Sequence, residues 1–265
     1  MNTDIFIEKN KLLLNLTLPA QILAEEDEEK KMIRTYFQNK LNGCFVEVGS
    51  NDPTSPESQS FHLETKLGWH GLLIEPIPAL AALAVKSRPL SIVCQNACTA
   101  PGKTGEVELL LPLSGDNLIA GHASLEANVD EHNYKQFQKI VVTALTLSEL
   151  CQEHKIMSVD FLSIDVEGSE LDVLLGSNLD RLQPQLILLE DKHLYLSKHR
   201  FLKSNGYVLV QRQNRNCWYV RRGSPMPKVS LASRIRLLKR MYISIWFKKI
   251  AYAIKHKSLN PFRTF

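Results

Sequence analysis

Five short apolar runs recur along the chain, separated by segments of helical character. They are "CFVEVG" (44–49), "GLLIEP" (71–76), "SIVCQNA" (91–97), "VDFLSIDV" (159–166) and "QLILLED" (185–191). None alternates apolar with polar residues for long, so each strand needs cover on both faces. Helices near 58–68, 78–86, 146–154 and 168–176 are placed to supply it. Fully apolar strands alternating with helices specify a parallel sheet with crossover connections, an α/β fold. After a last helix at 194–204, "GYVLVQRQNRNCWYVRR" reads as two closing strands that turn at "NRN". The runs 105–112 and 139–145 read as a further strand pair flanking a long loop, 113–138.

With 265 residues, 44% of them hydrophobic, the chain can bury a full core without disulfides. Its five cysteines are odd in number and lack CxxC spacing, which reads as reduced thiols in a cytosolic protein rather than a zinc site or a disulfide framework. The opening "MNTDIFIEKNK" mixes acids and bases, so no secretory leader is expected. No 18-residue apolar run occurs, so no membrane-spanning helix is expected either. Residues 19–41 read as a helix, with Pro19 in its first turn, acids early and bases late. The expected organisation is a helical N-terminal extension (1–42), the main domain (43–222) and a C-terminal tail (223–265).

Open parallel sheets bind ligands beyond the carboxyl ends of their strands, so the residues standing there are informative. The first strand ends in Glu47 and Gly49 with Asn51 beyond, the second in Glu75, and the third in Asn96. The later strands end in Asp165 with Glu167, and in Glu190 with Asp191. Any one of these is as readily a helix cap or a solvated strand end; together they outline a site. A glycine turn after the first strand and an acid after the second fit an adenosine-containing cofactor, the acid accepting the ribose hydroxyls. The second and third glycines of a dinucleotide loop are missing, with Asp52 and Pro53 in their place. S-adenosylmethionine, which has no phosphate and carries cationic groups, suits these acids better than a dinucleotide.

The blocks "FVEVGSNDP", "SQSFHLETKLGWHGLLIEPIPAL", "CQNAC", "HASLE", "FLSIDVEGSELDVLLG" and "LKSNGYVLVQRQNRNCWYV", in this order over about 43–222, resemble the FkbM family of S-adenosylmethionine-dependent methyltransferases. The resemblance implies a class I methyltransferase fold, Rossmann-like, with a seven-stranded sheet whose last strand is antiparallel. It also implies O-methylation, commonly of sugar or polyketide hydroxyls. By position, Glu47, Gly49 and Asn51 would hold the methionine part, Glu75 the ribose, and Asn96 with Ala97 the adenine edge. Asp165 would lie nearest the sulfonium.

A sugar hydroxyl is a weak nucleophile, so transfer requires proton removal and in-line placement. Asp165, His193 and His122 are the candidate bases. Alternatively, Asp165 with Glu190 and Asp191 would hold a divalent cation, Mg²⁺ or Mn²⁺, that acidifies the hydroxyl. A scaffold that binds the cofactor without catalysis is the competing reading, against which the acids at the reaction end argue. Trp218 and Tyr219 alternate on a closing strand, and one of them reads as core packing before sugar stacking.

Charge is unevenly spread. All 28 acids lie at or before Asp191, with 14 of the 32 Lys and Arg residues; 18 bases follow without an acid. Residues 228–265 hold ten of these bases, and Leu231, Ile235, Leu238, Tyr242, Ile245 and Trp246 recur at helical spacing. Arg234, Arg236, Lys239, Arg240, Lys248 and Lys249 flank that stripe. A basic amphipathic helix of this kind is expected to bind an anionic membrane surface, which would place the protein on the inner face of the cytoplasmic membrane and its acceptor in a surface or lipid-linked glycan. Packing on the domain or on a second copy, giving a homo-oligomer, is the alternative. Nucleic acid is not expected, since neither a DPPY or NPPY block nor an RNA-binding motif occurs.

Overall fold

The structure, a computed structural model, describes residues 28–55, 58–114, 117–118, 120–125, 136–191, 196–244, 246–247, 250–251 and 254. The elements around the central sheet are α1 (Glu28–Tyr36), β1 (Cys44–Val48), α2 (Phe61–Leu67), β2 (His70–Ile74), α3 (Pro78–Ser87), β3 (Ser91–Cys94) and β4 (Ala97–Cys98). A lateral group follows: β5 (Gly105–Ser114), β6 (Asn117–Leu118), a 3-10 turn (Ala120–His122), β7 (Ser124–Leu125) and β8 (Phe137–Leu145). The chain then continues through α4 (Leu147–Glu153), β9 (Phe161–Ile164), α5 (Glu170–Leu175), α6 (Leu179–Leu182), β10 (Leu186–Glu190), α7 (Leu196–Ser204), β11 (Tyr207–Gln213), β12 (Asn216–Arg221) and α8 (Leu231–Lys239).

Seven strands form one sheet in the order β11-β12-β10-β9-β1-β2-β3. β1 pairs in parallel with β2 on one side and β9 on the other, and β9 with β10. β12, the last strand in sequence, inserts antiparallel between β10 and β11. The chain winds from β1 outward to β3, then returns to β9 and runs the other way. The switch point of the sheet therefore lies between β1 and β9.

Side chains alternate across each strand, and both faces are covered. Val46, Val48, Leu72, Ile74, Leu162, Ile164, Ile187 and Leu189 pack against Leu147, Leu150, Val173, Leu174 and Leu202 of the later helices. On the opposite face Phe45, Leu73, Phe161, Leu186, Leu188 and Trp218 meet Ile33, Phe37, Leu63, Trp69 and Ala84. Two-sided burial is the physical reason the strands read as unbroken apolar runs. Trp218 and Tyr219 are both core residues, on opposite faces.

Of the helix expected over 19–41, Glu28–Tyr36 falls within the described residues. It stops earlier than expected because Gln38 and Asn39 both adopt left-handed backbone angles (φ 53° and 54°). Glu29 ties α1 to the sheet, accepting hydrogen bonds from Trp218 Nε1 and Asn216 Nδ2, both at 2.7 Å. The expected pair 105–112 and 139–145 is β5 and β8, antiparallel and joined to the main sheet by β4, which follows β3 and pairs with β8. α4 begins with a capping box: Thr146 accepts from the Glu149 N–H while the Glu149 carboxylate accepts from the Thr146 N–H. No helix among the described residues is long and apolar enough to cross a membrane. The five cysteines are unpaired.

Candidate active site

A cleft with about 570 Å³ of space, continuous with solvent, opens at the carboxyl ends of β1, β2 and β9. Its floor is Val48, Gly49 and Asn51 after β1, Ile74 to Ile77 after β2, and Asp165 to Glu167 after β9. Asn96, Ala97 and Cys98 form one end. Leu109, Gly121, Ala123, Ser124 and Leu125 of the lateral strands form the outer wall, and sequence reasoning did not foresee most of these.

Gly49 holds the floor together. Its φ is 79°, and a Cβ there would lie 1.8 Å from the Asp165 carbonyl oxygen. The glycine is required first by the neighbouring strand, before any ligand. Asn51, also left-handed at φ 46°, donates its backbone N–H to Glu75 Oε2 at 2.8 Å, while the Ile77 N–H meets Oε1 at 2.9 Å. Burial raises the pKa of Glu75, and these two bonds oppose that rise. Each Glu75 oxygen keeps a further acceptor lone pair beyond these bonds.

Glu47 is placed differently from its expected role. It stands on the Phe45 face of β1, is not part of the cleft lining, and accepts hydrogen bonds from Ser58 Oγ (2.9 Å), the Gln59 N–H (2.6 Å) and Ser60 Oγ. Arg88 completes this buried network. Its Nε reaches Glu64 at 2.7 Å, Nη2 reaches Ser60 Oγ at 2.7 Å, and Nη1 reaches the Pro53 carbonyl at 3.1 Å. The network fastens the segment after β1 to α2 and the end of α3. Glu47 thus holds the loop that carries Asn51, not a ligand.

At the other side of the floor, carboxylate oxygens of Asp165, Glu167 and Glu190 lie within 4.8 Å of one another. Asp165 is exposed and lines the cleft. Loss of bulk water there, then the charges of Glu190 and Glu167, hold its pKa well above the usual carboxylate range. Asp191, expected in this group, is buried and engaged elsewhere: Lys198 Nζ lies 2.7 Å from Glu170 Oε2 and 3.4 Å from Asp191 Oδ1. Burial pulls the Lys198 pKa down, but Glu170 and Asp191 outweigh it and the net shift is upward. Glu167, at φ 49°, takes the place expected of Asp191. Arg215 approaches Glu190 at 3.7 Å.

The structure therefore brings Gly49, Asn51, Glu75, Asn96, Ala97 and Asp165 to one cleft. Asn96 Nδ2 also donates to the Thr143 carbonyl at 3.3 Å, tying that end to β8. His122 is exposed on the 3-10 turn and is not part of the lining, although its neighbours Gly121 and Ala123 are. His193 lies outside the described residues.

A sheet in this order, one antiparallel strand at its late end, a glycine turn after β1 and an acid after β2 define the class I methyltransferase fold. Residues 47–209 match the methyltransferase FkbM domain, and the chain belongs to that family. Among solved structures it is similar to precorrin-6Y C5,15-methyltransferase from Geobacter metallireducens GS-15. The TM-score is 0.38 at 9% identity, over 75% of this chain and 89% of that one. It is also similar to a methyltransferase-like protein from Silicibacter pomeroyi DSS-3, with TM-score 0.40 and 11% identity over 81% of this chain and 95% of that one. No curated protein matches its sequence significantly.

Proposed function

We propose that the protein is an S-adenosylmethionine-dependent O-methyltransferase acting on a hydroxyl group, with a sugar of a surface or lipid-linked glycan as the acceptor. The observation that carries this reading is one cleft with Glu75 set for a ribose at one side and a raised-pKa aspartate, Asp165, at the other. S-adenosylmethionine, when bound, supplies a methyl group on a sulfonium. Asn51 and Gly49 border its methionine part, Glu75 accepts from its ribose, and Asn96 with Ala97 borders its adenine. Desolvation, then the charges of Glu190 and Glu167, raises the proton affinity of the Asp165 carboxylate. The carboxylate then takes the proton from the acceptor hydroxyl as the oxygen attacks. A carboxylate with its pKa raised takes up a proton more readily than an ordinary aspartate does.

A second reading rests on the three acid side chains within 4.8 Å. There, Asp165, Glu167 and Glu190 hold a divalent cation that acidifies the hydroxyl. The test is methyl transfer from labelled cofactor to extracted glycan, lipid and small-molecule fractions, with and without EDTA. Label in the glycan fraction supports the proposal; label only in small molecules replaces the acceptor with a polyketide-type hydroxyl. Cofactor binding without transfer to any fraction favours the non-catalytic scaffold. Loss of transfer in EDTA, restored by Mg²⁺ or Mn²⁺, selects the cation.

A further inference from the structure

We propose that α8 and the residues following it dock the protein on an anionic lipid surface. Among the described residues, α8 and the π-helical turn after it (Arg240–Ser244) are seated on the body of the protein by one side. Leu237 and Met241 are buried, and Tyr242 Oη lies 3.4 Å from His199 Nε2 on α7. A different side is apolar and open: Leu231 is 73% exposed, Ile235 56% and Leu238 53%. The spacing of these positions by three and four residues puts them along one helix face. Arg234, Arg236, Lys239 and Arg240 flank the stripe, and no acid occurs after Asp191.

Charge selects the occupant. A second copy meeting this face would bring an equal set of bases against it, and like charges at close range oppose that contact. Nucleic acid would satisfy the bases but leave the aliphatic stripe in water, since strand binding uses phosphate contacts and aromatic platforms. An anionic bilayer accommodates both features, with headgroups against the bases and the acyl boundary against Leu231, Ile235 and Leu238. The seat also matters. His199 adjoins Lys198, which meets Glu170 and Asp191, so the lipid-facing helix rests on the helix whose lysine pairs with those two acids. The inference stands on this surface and is independent of the acceptor proposed above.

The experiment is co-sedimentation of the full chain with vesicles of phosphatidylglycerol in phosphatidylcholine, and with phosphatidylcholine alone, at low and high salt. The expected result is binding to the anionic vesicles that falls at least about tenfold at high salt, with little binding to neutral ones. Ile235→Ser combined with Leu238→Ser should weaken that binding about tenfold or more. Because both side chains are exposed, this variant should keep the melting temperature and cofactor affinity of the native protein. Absence of binding to anionic vesicles overturns the proposal, as does binding indifferent to salt or unchanged in the double variant. A dimer that the same two substitutions dissociate also overturns it, making the stripe an interface between copies.

Discussion

Glu75 and Asp165 are both carboxyl groups at strand ends, yet their surroundings give them different work. Glu75 receives a backbone N–H on each oxygen, so its geometry is set before a ligand arrives. Glu75→Ala should weaken S-adenosylhomocysteine binding by about 1–3 kcal/mol in calorimetry, the scale of a lost charge-assisted pair of hydrogen bonds. Unchanged affinity in the folded variant removes the ribose assignment. Asp165 is held above its ordinary value of 3.8 by desolvation and by Glu190 and Glu167. The folded state therefore binds that proton more tightly than the unfolded chain. The resulting stability is complete below the ordinary value and is lost as pH rises through the raised one. Asp165→Asn should accordingly melt higher than the native protein at about pH 8, with the difference closing by about pH 4. The same variant should lose about a hundredfold or more in turnover. Gly49 shows how one missing methyl group can be decisive. Gly49→Ala should cost about 2–5 kcal/mol in urea unfolding, from backbone strain plus overlap with the Asp165 carbonyl. Gly102→Ala has a similar φ of 80° but nothing within 4 Å of its Cβ. It should cost only about 1–2 kcal/mol.

Between β1 and β2 the decisive residues are 52–55 and 58–60, which among the described residues form no regular strand or helix before α2. They are fixed by Glu47 from below and Arg88 from the side. Arg88 and Glu64 are both buried, so removing the cation leaves a carboxylate without its charge partner. Arg88→Ala should lower stability by about 3–5 kcal/mol, read from chemical unfolding. It should also weaken cofactor binding, because Asn51 is carried by the segment that Arg88 anchors. A variant that unfolds normally yet binds normally would mean the segment is held by other contacts. Strand and helix positions along this part of the chain were legible in the sequence, because period and turn residues are local signals. The partners of Glu47 were not. An acid near a strand end looks the same in sequence whether it faces a ligand or a neighbouring loop, and the pleat decides which.

For the molecule as a whole, α1 behaves as part of the core. Ile33 and Phe37 pack with Trp69 and Phe161, and Glu29 holds Trp218 and Asn216. Deleting residues 1–42 should yield aggregated or non-cooperatively unfolding protein in gel filtration and thermal melts. A monodisperse product melting like the full chain would contradict that. The sequence by itself determined the α/β class, the parallel sheet and the positions of most of the cleft floor, and through the resemblance of its ordered blocks the family and the late antiparallel strand. These rest on periodicity, on glycine and acid positions at strand ends, and on ordered motif blocks, all of which are properties of neighbouring residues. Tertiary structure alone decided that Gly49 is demanded by the Asp165 carbonyl and that Glu167, not Asp191, joins Asp165 and Glu190. It also decided that Lys198 engages Asp191, and which side of α8 is seated and which left open. Each of these depends on atoms far apart in the chain meeting within a few ångströms, and no local pattern encodes such a meeting.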